Sequence, residues 1–131
     1  MRFSEVTFGD LTPVDGYGPG FFRIGGAVFE GALLLLPEGV RPWGGPDDPA
    51  PLVAAAGAVD LLFIGTGDAL SHLPSALRAV LDGAGVMAEP MPTPAACRSY
   101  NVLLGEGRRV GAALVPVSAP GAEGNRPDSG A

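Results

Sequence analysis

The 131-residue chain has no lysine, one cysteine, one histidine and one tryptophan. Without lysine it cannot form a Walker-type phosphate loop, which needs that side chain on the nucleotide phosphates. All eight basic residues are arginine, against fourteen acids, for a net charge of −6. Only Arg108 and Arg109 are adjacent, and Glu106 sits beside them. Scattered arginines on an acidic chain exclude a phosphate-backbone footprint, so no nucleic-acid partner is expected. A lone cysteine cannot close an internal disulfide, which fits a reducing compartment. One cysteine and one histidine offer no metal-ligand spacing, and no cofactor is expected. Long apolar runs are missing too. Ala32–Leu36 is far too short to span a bilayer, and Met1–Asp10 has no apolar signal core. The expectation is a cytoplasmic protein without direct membrane insertion.

Hydrophobic residues make up 47% of the chain, punctuated by 21 glycines and 14 prolines. A chain of this length can bury roughly 65–70% of its unfolded surface without metal or disulfide. One compact domain over residues 1–117 is expected. Residues 118–131 have no apolar side chain larger than alanine and are expected to be a disordered tail.

Residues 2–8 read as a short strand and 9–20 as a Gly/Pro/Asp loop. Phe21–Ile24 and Ala27–Phe29 flank Gly25-Gly26, a hairpin signal, because both turn positions can take positive φ. Glu30-Gly31 marks a bulge or bend, and Ala32–Leu36 is a buried strand ended by Pro37. Residues 37–51 hold five prolines and Trp43; they read as an irregular excursion with the indole folded back on the body. Residues 52–56 suggest a helical turn. Val59–Ile64, apolar but for Asp60, is closed by Gly65-Thr66-Gly67 and reads as a central parallel strand. Leu73, Leu77, Val80, Leu81 and Ala84 fall at helical spacing, with Gly85 where a C-terminal cap belongs. Val86–Glu89 is a strand. Thr93-Pro94 signals a helix start, the hydroxyl capping it. That helix runs to about Leu104 and is stopped by Gly105 or Gly107. Arg109–Val115 is the last strand. The order βαβαβ predicts helices packed on a sheet.

The chemistry is concentrated between Met91 and Pro116. Cys97 lies near a helix start beside Arg98, where a thiol can be activated. A small cysteine among alanines also suits a packed core. Arg98, Glu106, Arg108 and Arg109 could form an ion-pair group, or some arginines could hold an anion. Cys97, Asn101 and Leu104 share one helix face while Arg98 points elsewhere. Tyr100 and Arg98 are favoured interface types. Gly65-Thr66-Gly67 lacks the third glycine of a dinucleotide fingerprint and reads as a tight turn. No pair of acids is spaced for acid–base work.

Ala96-Cys97-Arg98-Ser99-Tyr100-Asn101 and Glu106-Gly107-Arg108-Arg109-Val110 resemble the signatures of a small domain-of-unknown-function family. That family is shared by bacterial and archaeal proteins and by the mitochondrial complex I assembly factor of the third type. Phe22-Arg23-Ile24, Gly31, Trp43 and Phe63-Ile64-Gly65-Thr66-Gly67 fit as well, so the resemblance covers about residues 15–117. Ser99 departs from the family's usual threonine but keeps the hydroxyl. The resemblance implies a three-layer α/β domain: a central mixed sheet, two helices on it and an additional N-terminal β layer. It also implies protein partners, membrane respiratory complex subunits among them, and no established enzymatic activity. The residues alone establish no reaction and favour binding over catalysis. Candidate binding or interface residues are Arg98, Tyr100, Asn101, Arg108 and Arg109, with Cys97 as a candidate reactive thiol. The alternative is an anion-binding protein or enzyme with a pocket near Cys97, Asn101 and Arg98. The oligomeric state stays open.

Overall fold

The computed structural model describes residues 12–118. The strand expected at residues 2–8 lies outside them, as does the expected tail beyond Ser118. Eight strands and three helices follow in chain order: β1 (Val14–Gly18), β2 (Phe21–Ile24), β3 (Ala27–Glu30), β4 (Leu33–Leu36), β5 (Gly39–Pro42), α1 (Ala50–Ala54), β6 (Leu61–Thr66), α2 (Ser75–Gly83), β7 (Ala88–Met91), α3 (Thr93–Gly105) and β8 (Val110–Val115). They build a three-stranded sheet, β1-β2-β3, and a five-stranded sheet ordered β5-β4-β8-β6-β7. The larger sheet is mixed. β6 runs parallel to β7 and β8, whereas β4 runs antiparallel to β5 and β8.

The strands alternate side chains between two faces, and two cores result. Leu33, Leu35, Phe63, Ala112 and Leu114 join Phe22 and Ile24 of the small sheet and Ala96, Cys97 and Tyr100 of α3. Leu34, Leu36, Leu62 and Ile64 meet Leu52 of α1, Leu77 and Leu81 of α2, and Trp43. The layers are therefore α1 and α2, the mixed sheet, then α3 beside the small β-sheet. The expected three-layer α/β arrangement with an added N-terminal β layer is present.

The stops of α2 and α3 follow one pattern. At α2, Val86 N–H donates to Leu81 O and Gly85 N–H to Asp82 O. At α3, Arg108 N–H donates to Leu103 O and Gly107 N–H to Leu104 O. Each is a Schellman ending, with the glycine at positive φ, 77° for Gly85 and 83° for Gly107. Gly107, not Gly105, therefore marks the stop of α3.

Three local readings are corrected. The loop expected at 9–20 contains β1, whose register shifts between Val14 and Gly16 as a bulge. A single bulge hides the two-residue pattern. The excursion at 37–51 contains β5, which pairs with β4 through a two-residue turn, Leu36 facing Gly39. Pro42 is tolerated because β5 is an edge strand. Trp43 is buried, its Nε1–H donating to Asp48 O at 2.9 Å. Thr93 does not cap α3. Pro92 stands at the N-cap, without a side-chain cap bond, and the Thr93 hydroxyl is used elsewhere.

Candidate functional site

α3 carries most of the expected site residues, and Thr93 fixes where it lies. Thr93 is fully buried. Its Oγ1 accepts from Gly67 N–H at 2.8 Å and donates to Val115 O at 2.6 Å. Its backbone N–H donates to Gly67 O at 2.9 Å. One residue thus ties the start of α3 to the carboxyl ends of β6 and β8. The approach is close because position 65 is glycine: a Cβ there would stand 2.7 Å from Thr93 Oγ1. Thr66 meanwhile donates its hydroxyl to Ala69 O at 2.7 Å and accepts from Ser71 N–H at 3.2 Å. The Gly65-Thr66-Gly67 turn thus bonds to its own loop and to Met91 O through Thr66, and to α3 through Gly67.

The inward face of α3 carries Ala96, Cys97 and Tyr100. Burial pushes the Cys97 thiol up to about 12, and the nearby Arg98 charge offsets only part of that. A thiol held that high is almost entirely protonated at neutral pH, the opposite of an activated nucleophile. Tyr100 is buried, and its hydroxyl donates to Thr12 O at 3.2 Å. Desolvation raises its pKa, with that hydrogen bond acting the other way. Asn101 spans the gap to β1: it accepts from Val14 N–H at 2.8 Å and donates to Val14 O at 3.0 Å. A mid-helix asparagine with poor helical propensity is thus used as a surrogate strand partner, holding the small sheet against α3.

The expected site residues therefore separate. Cys97 and Tyr100 belong to the core, and Asn101 binds backbone. Arg98 is exposed, off the buried face of α3, and the groove it lines does not include Cys97 or Asn101. The expected arginine–glutamate group also resolves differently. Arg109 pairs with Asp60 at 2.7 Å and reaches Gly57 O at 3.3 Å. It joins the start of β8 to the start of β6 rather than to Glu106. The Arg109 hydrogen bond lowers the Asp60 pKa, with a smaller Coulombic contribution from Arg108. The pair is exposed on both sides, where such bridges contribute little to stability.

Arg98 lines a groove of about 590 Å³ with Ser99, Val102 and Leu103 of α3 and Leu61 and Phe63 of β6. Val102 is 59% exposed. Sequence reasoning missed this apolar lining. One signal was available: Val102 lies one helical turn from Arg98, an apolar side chain on the polar face of α3. Among the described residues, no cluster of three or more His, Cys, Asp or Glu side chains could hold a metal ion. No helix among them is long and apolar enough to cross a membrane.

A family model described as "Protein of unknown function (DUF498/DUF598)" matches residues 14–115. An uncharacterised protein of Rhodobacter capsulatus is 58% identical over 122 residues, covering 93% of this chain and 97% of that one. The human NADH dehydrogenase [ubiquinone] 1 alpha subcomplex assembly factor 3 is 31% identical over 110 residues, covering 79% of this chain and 60% of its own length. Among solved structures, an outer membrane protein from Bartonella henselae superposes with a TM-score of 0.75 at 34% identity, covering 82% of this chain and 96% of that one. A Bordetella pertussis protein described as a Mth938-like domain gives a TM-score of 0.68 at 30% identity, covering 88% and 94%.

Proposed function

We propose, from the premise that this chain belongs to the DUF498/DUF598 family, that it is an interaction or assembly factor acting in the cytoplasm. It holds a protein partner on the outer flank of α3. The observation that carries this reading is the groove of Leu61, Phe63, Arg98, Ser99, Val102 and Leu103. Val102 is exposed there beside a guanidinium, with Leu61 and Leu103 half-buried next to it, the composition of an interface anchor. The polar groups of the family-like motif that face inward are engaged by the fold itself, which leaves little for catalysis. The human relative is named as an assembly factor for NADH dehydrogenase. By that likeness a subunit of a membrane respiratory complex is the proposed partner.

The test is genetic and biochemical. Deleting the R. capsulatus relative should lower the NADH:ubiquinone oxidoreductase activity and the assembled complex in its membranes. This chain should restore both, whereas a folded Val102→Asp variant should not. Full assembly in the deletion strain would refute the respiratory-complex reading. Full rescue by Val102→Asp would remove the groove from it.

A further inference from the structure

The groove has a polarity of its own. α3 lies along one side and places Arg98 and Val102 there. Leu61 and Phe63 of β6 lie across from them, and β7, the edge strand of the mixed sheet, pairs with β6 on its outer side. Phe63 pairs in register with Glu89, so the two side chains leave the same face of the sheet. Met87, just before β7, is 68% exposed. The groove thus combines apolar lining with one cation, Arg98, on the helix side, while Glu89 stands one strand further out on the same face of the sheet. Among the described residues Arg98 has no ion-pair partner, whereas Arg109 is engaged by Asp60. An exposed cation beside apolar lining, on a chain of net charge −6, is complementary to a carboxylate flanked by apolar groups.

We propose that this groove docks an amphipathic segment of a partner protein, its apolar side chains seated on Leu61, Phe63 and Val102 and its carboxylate paired with Arg98. The inference rests on the interaction reading above and adds the chemistry of the partner. Arg98, the one charged side chain of the lining, sets the orientation, with the carboxylate of the bound segment on the α3 side. A second copy of this chain is disfavoured as the occupant, since two chains of net charge −6 repel one another.

The experiment titrates the intact chain with two short synthetic amphipathic peptides, one of leucine and glutamate and one of leucine and lysine. Amide shifts of Phe63, Arg98, Val102 and Leu103 are followed. The overall charge of the chain favours the lysine peptide at long range, so a preference for the glutamate peptide at the groove reports local recognition. The expected result is saturable binding of the glutamate peptide at these four residues. Arg98→Glu, a change at an exposed position, should weaken it by about tenfold or more and strengthen the lysine peptide. Several results overturn the proposal: preference of the wild type for the lysine peptide, no binding of either peptide at the groove, or an unchanged affinity in Arg98→Glu. Shifts at the same residues that depend on protein concentration without peptide would assign the groove to self-association and overturn it too. Failure here with loss of rescue by Val102→Asp in cells would leave the interaction reading standing and reject only the acidic-segment chemistry.

Discussion

Replacing Thr93 by valine keeps the shape of a fully buried side chain and removes its only polar atom. Two backbone groups then lose a partner. Gly67 N–H is buried and donates to Thr93 Oγ1; stranding it costs about 1–3 kcal/mol. Val115 O is less enclosed, and loss of its bond costs about 0.5–1.5 kcal/mol. The sum is about 1.5–4.5 kcal/mol, or a fall in Tm of about 6–18 °C at ~4 °C per kcal/mol for a domain of this size. Thr93→Ser keeps the hydroxyl and gives up one methyl, so it should cost under about 1.5 kcal/mol. Gly65→Ala attacks the same contact from the other side. The new Cβ would meet Thr93 Oγ1 at 2.7 Å, Leu114 Cδ2 at 3.0 Å and Thr93 Cα at 3.1 Å, and overpacking of that kind costs about 1–3 kcal/mol. The two sites share one contact, so Gly65→Ala should cost less in a Thr93→Ala background than alone. Urea unfolding followed by far-UV circular dichroism measures all of these. If Thr93→Val and Thr93→Ser unfold within about 0.5 kcal/mol of each other, the hydroxyl is not the tie between α3 and the sheet, and the reasoning fails.

Asn101→Leu should lose both bonds to Val14 and cost about 1–3 kcal/mol; amide exchange at Val14 should quicken while β8 stays protected, and unchanged exchange would count against the asparagine as the tie to β1. Cys97 should resist alkylation in the folded chain at neutral pH, with the rate rising sharply on denaturation. Its pKa also carries a sign. Below 9.0 the thiol is protonated in both states; between 9.0 and about 12 the unfolded chain sheds a proton that the fold retains. Stability should therefore fall as pH rises through that window, by up to about 4 kcal/mol. Cys97→Ala should remove that part of the slope, and an identical pH profile for the variant would contradict the assignment.

What was legible in the sequence was what local chemistry decides. Phe21–Ile24, Gly25-Gly26 and Ala27–Phe29 contain their own turn, and β2 and β3 pair across it. Gly85 and Gly107 end α2 and α3 because each ending is closed within a few residues. β7 was placed two residues early, at Val86–Glu89 rather than Ala88–Met91, but a slip of two keeps every side chain on its proper face. β1 was not legible because distant residues help to hold it: Val14 is bonded by Asn101, 87 residues away. Thr93 was misread for the same reason, since its hydroxyl looks like a cap in sequence and serves β6 and β8 in space. The Ala96–Asn101 motif shows the consequence for function. Its unusual density of polar and reactive residues invited a site, yet Ala96, Cys97 and Tyr100 fill the core and Asn101 binds β1. Most of the motif encodes how α3 seats in the core shared by the mixed sheet and the small sheet, so resemblance in it is evidence first of architecture. Of its six residues only Arg98 and Ser99 line the groove, and Ser99 donates its hydroxyl to Met91 Sδ at 3.7 Å. Arg98 is left as the motif residue whose substitution can separate binding from folding.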